Sequence, residues 1–379
     1  MDGTQQTSQT LPVVNDDVPS PLTRPRARDI GIQIGDLLSP GPLNAITDVP
    51  RVKVGMAEKF MGDVSFTDEE ERRKIVRAGV TLISTDDIDK VPLFAGVGIL
   101  QGWGELTGSL YISEAGLLSG PVAITGTMQL GAVHTAVNNI DPFALKLPVV
   151  GETYDRMTHP LALDQIGLSE IAQALADMTS GKVREGNVGG GASMVSFGLK
   201  GGTGTSSRLV PSRNGKNYVV GALVQANHGS PYDLTIAGVQ VGKTLVDEGI
   251  IVVIATDAPL LPHQCSAVAR RAGVGIARGG GGTGFLSGDI FLCFSTAAPV
   301  TPPPPPLYQT RIEPVATYTV EAVNSETLDV IFRAAADATE EAILNALFAA
   351  EALEGYTGRK WRALPVKRVE EILREAGKI

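Results

Sequence analysis

The side chains able to do chemistry in this chain are few and scattered. Histidine occurs only four times and never as HExxH, and the two cysteines, Cys265 and Cys293, lack CxxC spacing. Neither a metal centre nor a disulfide framework is expected, and both thiols read as small buried groups. Three glycine-rich words have the look of phosphate cradles: Glu185-Gly-Asn-Val-Gly-Gly-Gly191, Lys200-Gly-Gly-Thr-Gly-Thr-Ser-Ser-Arg208 and Arg278-Gly-Gly-Gly-Gly-Thr-Gly284. None has the GxxxxGK[ST] pattern, and none gives GxGxxG behind a strand with an acid at the right distance. Close packing of strands is the better reading, and no cofactor is expected. What remains is a handful of polar residues: Glu152, Tyr154, Asn227, Ser287 and Asp289. Taken one at a time, Tyr154 reads as a core tyrosine and Asn227 as a turn-former before Gly229. Ser287 reads as a turn hydroxyl and Asp289 as a cap.

Whatever these residues do, strands and helices must position them. The strongest element is Ile250 to Ala255, a continuous β-branched run that follows the turn Val246-Asp-Glu-Gly249 and is broken by Thr256-Asp-Ala-Pro259. Such a run marks a strand buried on both faces. Further strands are expected over residues 52–55, 79–84, 121–127, 218–229 and 287–294. Helical spacing covers 130–137, an amphipathic helix covers 168–178 with Ser169 near its start, and two C-terminal helices cover 325–353 and 366–376. Residues 231–248 form a polar connector without a strong element. Pro302 to Pro306 is a stiff tether too short to separate domains. Strands at the centre with helices between and after them give an α/β layered fold.

Composition bounds the alternatives. A chain of 379 residues with 43% hydrophobic and 19% charged residues can bury a large core. Its net charge of -9 argues against nucleic acid, which demands clustered cations. No apolar run reaches bilayer length, so no membrane partner is expected. The N-terminus lacks a basic n-region and an apolar h-region, and the reading is a cytoplasmic protein. Residues 1–24 are polar and aperiodic and read as a disordered arm. Residues 25–379 read as a single domain.

Eight longer words occur in order: Asn44-Ala-Ile-Thr-Asp-Val49, Pro148-Val-Val-Gly-Glu-Thr-Tyr-Asp155, the first two glycine words above, Val224-Gln-Ala-Asn-His-Gly229, Ala255-Thr-Asp-Ala-Pro-Leu-Leu-Pro-His-Gln264, Ser287-Gly-Asp-Ile290 and Glu340-Glu-Ala-Ile-Leu-Asn-Ala-Leu347. On these words the chain, from Arg26 onward, resembles the L-aminopeptidase/D-amidase-esterase family, which includes the β-peptidyl aminopeptidases. The resemblance implies a four-layer α-β-β-α sandwich similar to N-terminal-nucleophile hydrolases, assembled as a homotetramer. It implies a hydrolase that releases N-terminal residues from short peptides, amides or esters after cutting its own chain.

The resemblance also places roles. Glu152 would hold the substrate's free ammonium through a charge-assisted contact. Tyr154 and Asn227 would donate to the oxyanion of a tetrahedral intermediate. Ser287 and Asp289 would orient the nucleophile and tune its proton transfer, and Asn345 would line the same pocket. The α-chain equivalent is 25–248 and the β-chain equivalent is 249–379. Here the sequence departs from the family, because the nucleophile's position is Gly249, which has no hydroxyl. Thr244, Ser230 and Ser266 are the nearby hydroxyls, and Thr244 is the alternative nucleophile if the connector folds back. Met128-Gln129 stands where the family usually has His-Ser, a change in the pocket wall. Two functions therefore compete. One is an aminopeptidase/amidase with a displaced nucleophile. The other is an unprocessed pseudo-hydrolase that binds an amine-bearing ligand or performs non-covalent acid–base chemistry on a metabolite.

Overall fold

A computed structural model describes residues 24–62, 68–140, 147–160, 165–242, 249–297, 315 and 317–379. All of the expected arm over residues 1–24 except Arg24, together with Thr244 and the polyproline run, lies outside the described residues. Two sheets carry the architecture. The first has four strands, β1 (Lys53–Met61), β2 (Val76–Ser84), β5 (Val122–Gly126) and β6 (Val149–Thr153), in the order β1-β2-β5-β6. The second contains β3 (Leu93–Gly102), β4 (Leu117–Leu118), β7 (Gly202–Pro211), β8 (Asn217–Ala226), β9 (Ile250–Thr256) and β10 (Gly288–Ser295), in the order β4-β3-β10-β9-β8-β7.

The apolar run at 250–256 behaves as its composition demands. Ile251, Val253 and Ala255 point into the layer between the sheets, where they join Val54, Ile124 and Val149. Ile250, Val252 and Ile254 point the other way, into the layer formed with helices α5 (Pro262–Ala269), α6 (Ala272–Arg278) and α7 (Asp329–Ala349). Helices α3 (Leu130–Asn138) and α4 (Leu168–Ala176) cover the far face of the four-stranded sheet through Val133, Ile171 and Ala174. Two helical layers thus enclose two sheets. No helix among the described residues is long and apolar enough to cross a membrane.

The glycine words prove to be places of close approach. A Cβ on Gly204 would lie 2.0 Å from the carbonyl oxygen of Ala342 in α7, and one on Gly190 would lie 1.9 Å from Gln225 Oε1. Glycine alone lets strand and helix backbones meet this closely. The same effect lengthens β1, which reads as stopping at Gly55. The strand runs on to Met61, because Gly55 marks contact with the backbone of Ala174 in α4 and not a break. The helix expected over 325–353 is shorter. A 3-10 turn, Ser325–Thr327, precedes α7, with the Asn324 side chain accepting from the Glu326 N–H, and Ala350 is already extended.

Helix α7 is buried on almost every side and still carries Asp337, Glu340 and Glu341. Cations compensate them. Arg208, itself fully buried, lies 2.6 Å from Glu341, which Arg28 also contacts at 2.7 Å, and Arg278 lies 2.6 Å from Asp337.

Candidate active site

Strand register brings the distant polar words together. In the six-stranded sheet Ala226 pairs with Ile250 and Ile250 pairs with Asp289. Asn227, Gly249 and Gly288 therefore stand side by side, one residue beyond the paired positions. In the four-stranded sheet β5 and β6 run parallel, with Thr125 opposite Glu152 and Gly126 opposite Thr153. Their C-terminal ends deliver Thr127, Glu152 and Tyr154 to the same place. Between the two sets lies a cavity of about 650 Å³ lined by Trp103, Thr127, Glu152, Tyr154, Asn227 and Gly249, among others.

Glu152 is buried and held by two neutral donors. Its Oε1 accepts from the Glu105 N–H at 2.8 Å, and its Oε2 accepts from the Thr127 hydroxyl. Burial raises its pKa, against the lowering effect of those two donors. An incoming cation would relieve that burial penalty. Asp155, deeper in the wall, is pushed up to about 7 by burial, and its Oδ1 accepts only a long bond from Met128 N at 3.4 Å.

On the opposite side Asn227 is clamped. Its Oδ1 accepts from Val195 N at 2.9 Å and its Nδ2 donates to the Tyr154 carbonyl at 3.1 Å. An amide nitrogen carries two hydrogens, so one donor remains. Gly249 adopts φ +74°, and its N–H donates to Ser287 Oγ at 3.0 Å. Ser287 Oγ in turn donates to Asp289 Oδ1 at 2.7 Å. Asp289 is fully buried, its Oδ2 has no hydrogen-bond partner among the described residues, and burial raises its pKa. A Cβ on Gly249 would meet nothing nearer than Asn227 O at 3.6 Å, with Asn227 Nδ2 and Gly288 N at 3.8 Å. The space beside Gly249 is open and bordered by two nitrogens.

The structure therefore gathers Glu152, Tyr154, Asn227 and Gly249 at one cavity, and Ser287, between the lining residues Leu286 and Gly288, stands just behind its wall, hydrogen-bonded to Gly249 and Asp289. Tyr154 is 43% exposed and is not the core residue that its composition alone allowed. Asn345 lies elsewhere. Buried on α7, it accepts from Ala27 N and donates to the Thr205 carbonyl, so it ties the N-terminal segment to β7 and does not line this cavity. Gln129 also turns away from the cavity, accepting from the N–H groups of Gln165 and Ile166 at 2.7 and 3.0 Å. Sequence reasoning missed Thr127 and Trp103. The signal was present in part, since both sit beside a glycine (Gly126-Thr127, Gly102-Trp-Gly104) at a strand's end.

With the geometry in hand, the comparisons are specific. Residues 44–361 match peptidase family S58. The β-peptidyl aminopeptidase BapA of Sphingosinicella xenopeptidilytica is 37% identical over 385 residues, covering 93% of this chain and 92% of the relative. The β-aminopeptidase of a Burkholderia species superposes with a TM-score of 0.82 at 41% identity, covering 93% of this chain and 99% of that one. The L-aminopeptidase D-Ala-esterase/amidase of Ochrobactrum anthropi, described as a variant of the Ntn hydrolase fold, superposes with a TM-score of 0.83 at 40% identity, covering 94% and 99%.

Proposed function

The chain belongs to peptidase family S58, a family of aminopeptidases and amidases, and from that premise we propose that the cavity around Glu152 binds the free ammonium of a short peptide or amide and hydrolyses the bond beyond it. The observation that carries this is one cavity that brings together a buried carboxylate, with no cation beside it among the described residues, and a cluster of donors beside Ser287 and Asp289. Glu152 selects a substrate with a free amine, which makes the activity that of an aminopeptidase and not an endopeptidase. The spare Nδ2–H of Asn227, with Tyr154 at the rim, stabilises the oxyanion. Ser287 and Asp289 manage the proton.

We assign residues 25–379 to one folding unit that stays uncut at residue 249, because no hydroxyl stands there to begin an acyl shift. A cytoplasmic location agrees with Cys265 and Cys293, which are both buried and free. A homotetramer is the expected assembly, and light scattering of the purified protein checks it.

A second reading rests on Gly249 itself. Without a side chain there, the cavity could bind amine ligands or act on them by acid–base chemistry alone. One experiment separates the two. Hydrolysis of α- and β-amino-acid p-nitroanilides by a protein with a single intact mass of 39.6 kDa supports the uncut hydrolase. Amine binding by calorimetry with no product released supports the second reading.

A further inference from the structure

We propose that Ser287 is itself the nucleophile of this chain, with Asp289 as its base, so that hydrolysis proceeds through an acyl-Ser287 intermediate in an unprocessed polypeptide. The inference rests on the hydrolase reading above and supplies the atom that reading lacks.

Elimination among the hydroxyls at the cavity and just behind its wall leaves one candidate. The Thr127 hydroxyl is committed to Glu152, and that of Thr153 to Met194 Sδ at 2.7 Å. Tyr154 has no carboxylate among its hydrogen-bond partners in the described residues. Ser287 has one, since its Oγ donates to Asp289 Oδ1 at 2.7 Å. A serine is a weak nucleophile until an adjacent base accepts its proton. Asp289 suits that task better than an ordinary surface carboxylate. It is buried, its second oxygen has no partner among the described residues, and burial raises its proton affinity.

The geometry around Oγ also leaves a direction for attack. A serine oxygen offers one proton and two lone pairs. The proton faces Asp289, and one lone pair accepts the Gly249 N–H at 3.0 Å, which steadies negative charge developing on the oxygen. The second lone pair meets no donor among the described residues. The residue that donates to this oxygen, Gly249, leaves open the space that its side chain would fill, with Asn227 Nδ2 and Gly288 N each 3.8 Å from the Cβ position. A substrate carbonyl entering there meets two nitrogens able to hold its oxygen. In a chain with a serine at 249 this space would be occupied. Its opening is what gives Ser287 access to substrate.

The step balances without further reagents. Ser287 Oγ bonds to the carbonyl carbon, its proton passes to Asp289, and the carbonyl electron pair moves to oxygen. Collapse breaks the C–N bond, and the amine leaves with the proton from Asp289. Water then attacks the ester, giving its proton to Asp289. The C–Oγ bond breaks, and Asp289 returns that proton to Ser287 as the acid leaves.

The test treats the full-length protein with a serine-directed fluorophosphonate, maps the adduct, and measures p-nitroanilide hydrolysis for the native chain, Ser287→Ala and Asp289→Asn. The proposal expects one adduct, on Ser287, in an uncut chain, with turnover falling at least about 100-fold in both variants. Mapping on the native chain makes the assignment independent of how well either variant folds. Turnover with the adduct on another residue, Thr244 included, overturns Ser287 and leaves the hydrolase reading standing. Turnover that survives Ser287→Ala in a folded variant does the same. Absence of both adduct and turnover, with amine binding retained, overturns the hydrolase reading and the nucleophile with it.

Discussion

The backbone N–H of Gly249 donates to the hydroxyl of Ser287 at 3.0 Å, and that hydroxyl in turn donates to Asp289 Oδ1 at 2.7 Å. That relationship ties the position where the family resemblance places a nucleophile to a hydroxyl–carboxylate pair just behind the cavity wall. It is made by strand register alone. Because β9 and β10 run parallel with Ile250 opposite Asp289, residues 249 and 287–288 must be neighbours.

Replacing Gly249 with serine tests what the missing oxygen does. The new Cβ would meet its neighbours at 3.6–3.8 Å, which is ordinary contact, so the site has room. The backbone is less accommodating, since φ is +74° and an L-residue there costs about 1–2 kcal/mol. Gly249→Ser is expected to fold with a modestly lowered Tm and to cut itself, giving two fragments that meet at residues 248 and 249. Denaturing mass spectrometry reads this directly. A single persistent mass would mean that the connector before residue 249, and not the hydroxyl alone, has lost the processing geometry.

Glu152→Gln removes the charge that meets the substrate ammonium while keeping oxygen and shape. Its partners are neutral, the Glu105 N–H and the Thr127 hydroxyl, so the fold loses little. A hydrogen bond to a charged group contributes about 1.5–3 kcal/mol, which corresponds to roughly 10–150-fold in affinity. The expected result is a KM raised by that factor for amino-acid amides, with kcat changed far less. In the native protein, burial raises the pKa of Glu152, so amine binding should weaken as pH falls toward that raised value. The variant should not show this pH dependence.

Much of the fold was legible because it follows from local rules. The two-faced strand at 250–256, the helix at 130–138 and the amphipathic helix at 168–176 need only composition and periodicity. The site was legible only through the resemblance, because its residues come from three separate stretches, 152–154, 227 and 287–289. Periodicity cannot show that Asn227 and Gly288 flank Gly249, since that depends on which strands pair and in what register. Asn345 shows the limit of carrying a family word to a site. It lies in a long matching word, yet its amide joins Ala27 to Thr205 in another layer. Thr127 was missed for the opposite reason, since a lone threonine after a glycine carries no signal until Glu152 is placed beside it.

Asp155 gives a pH-dependent stability with a definite sign. Its unfolded pKa is near 3.8, and burial pushes the folded value up to about 7. Below pH 3.8 it is protonated in both states and carries no penalty. As pH rises from there to 7 the unfolded chain loses its proton more readily, so this group's contribution to stability is lost across that window. At about 1.36 kcal/mol per unit, the ceiling is roughly 4 kcal/mol. Asp155→Asn should abolish this slope while keeping an oxygen for the Met128 N–H. Urea midpoints at pH 5 and pH 8 should converge in the variant relative to the native protein. An unchanged difference between those midpoints would show that Asp155 is ionised in the folded state at neutral pH.

Glu341 anchors the N-terminal segment and β7 to the buried helix α7, and its removal should be the most damaging change outside the cavity. Its two oxygens meet Arg28 at 2.7 and 2.8 Å, Arg208 at 2.6 Å and the Asn44 amide at 2.5 Å. Burial raises its pKa, but these donors prevail and hold it below the usual carboxylate range. Arg208 is fully buried, and Glu341 is the one carboxylate it pairs with among the described residues; its other partners are the Ser206 hydroxyl and the carbonyls of Ile34, Ser207 and Asp337. Breaking a buried pair from one side typically costs about 3–5 kcal/mol, because the surviving charge stays buried. Glu341→Gln is therefore expected to destabilise by that amount, read from the urea midpoint at constant m. Arg208→Met should also destabilise, by stranding Glu341 with Arg28 alone. The double variant should be less damaged than the sum of the two, by at least about 1 kcal/mol, because each single change leaves an unmatched charge that the other removes. Strict additivity would mean that Arg28 and Asn44 alone neutralise Glu341, and that Arg208 is held by its carbonyl partners at Ile34 and Ser207.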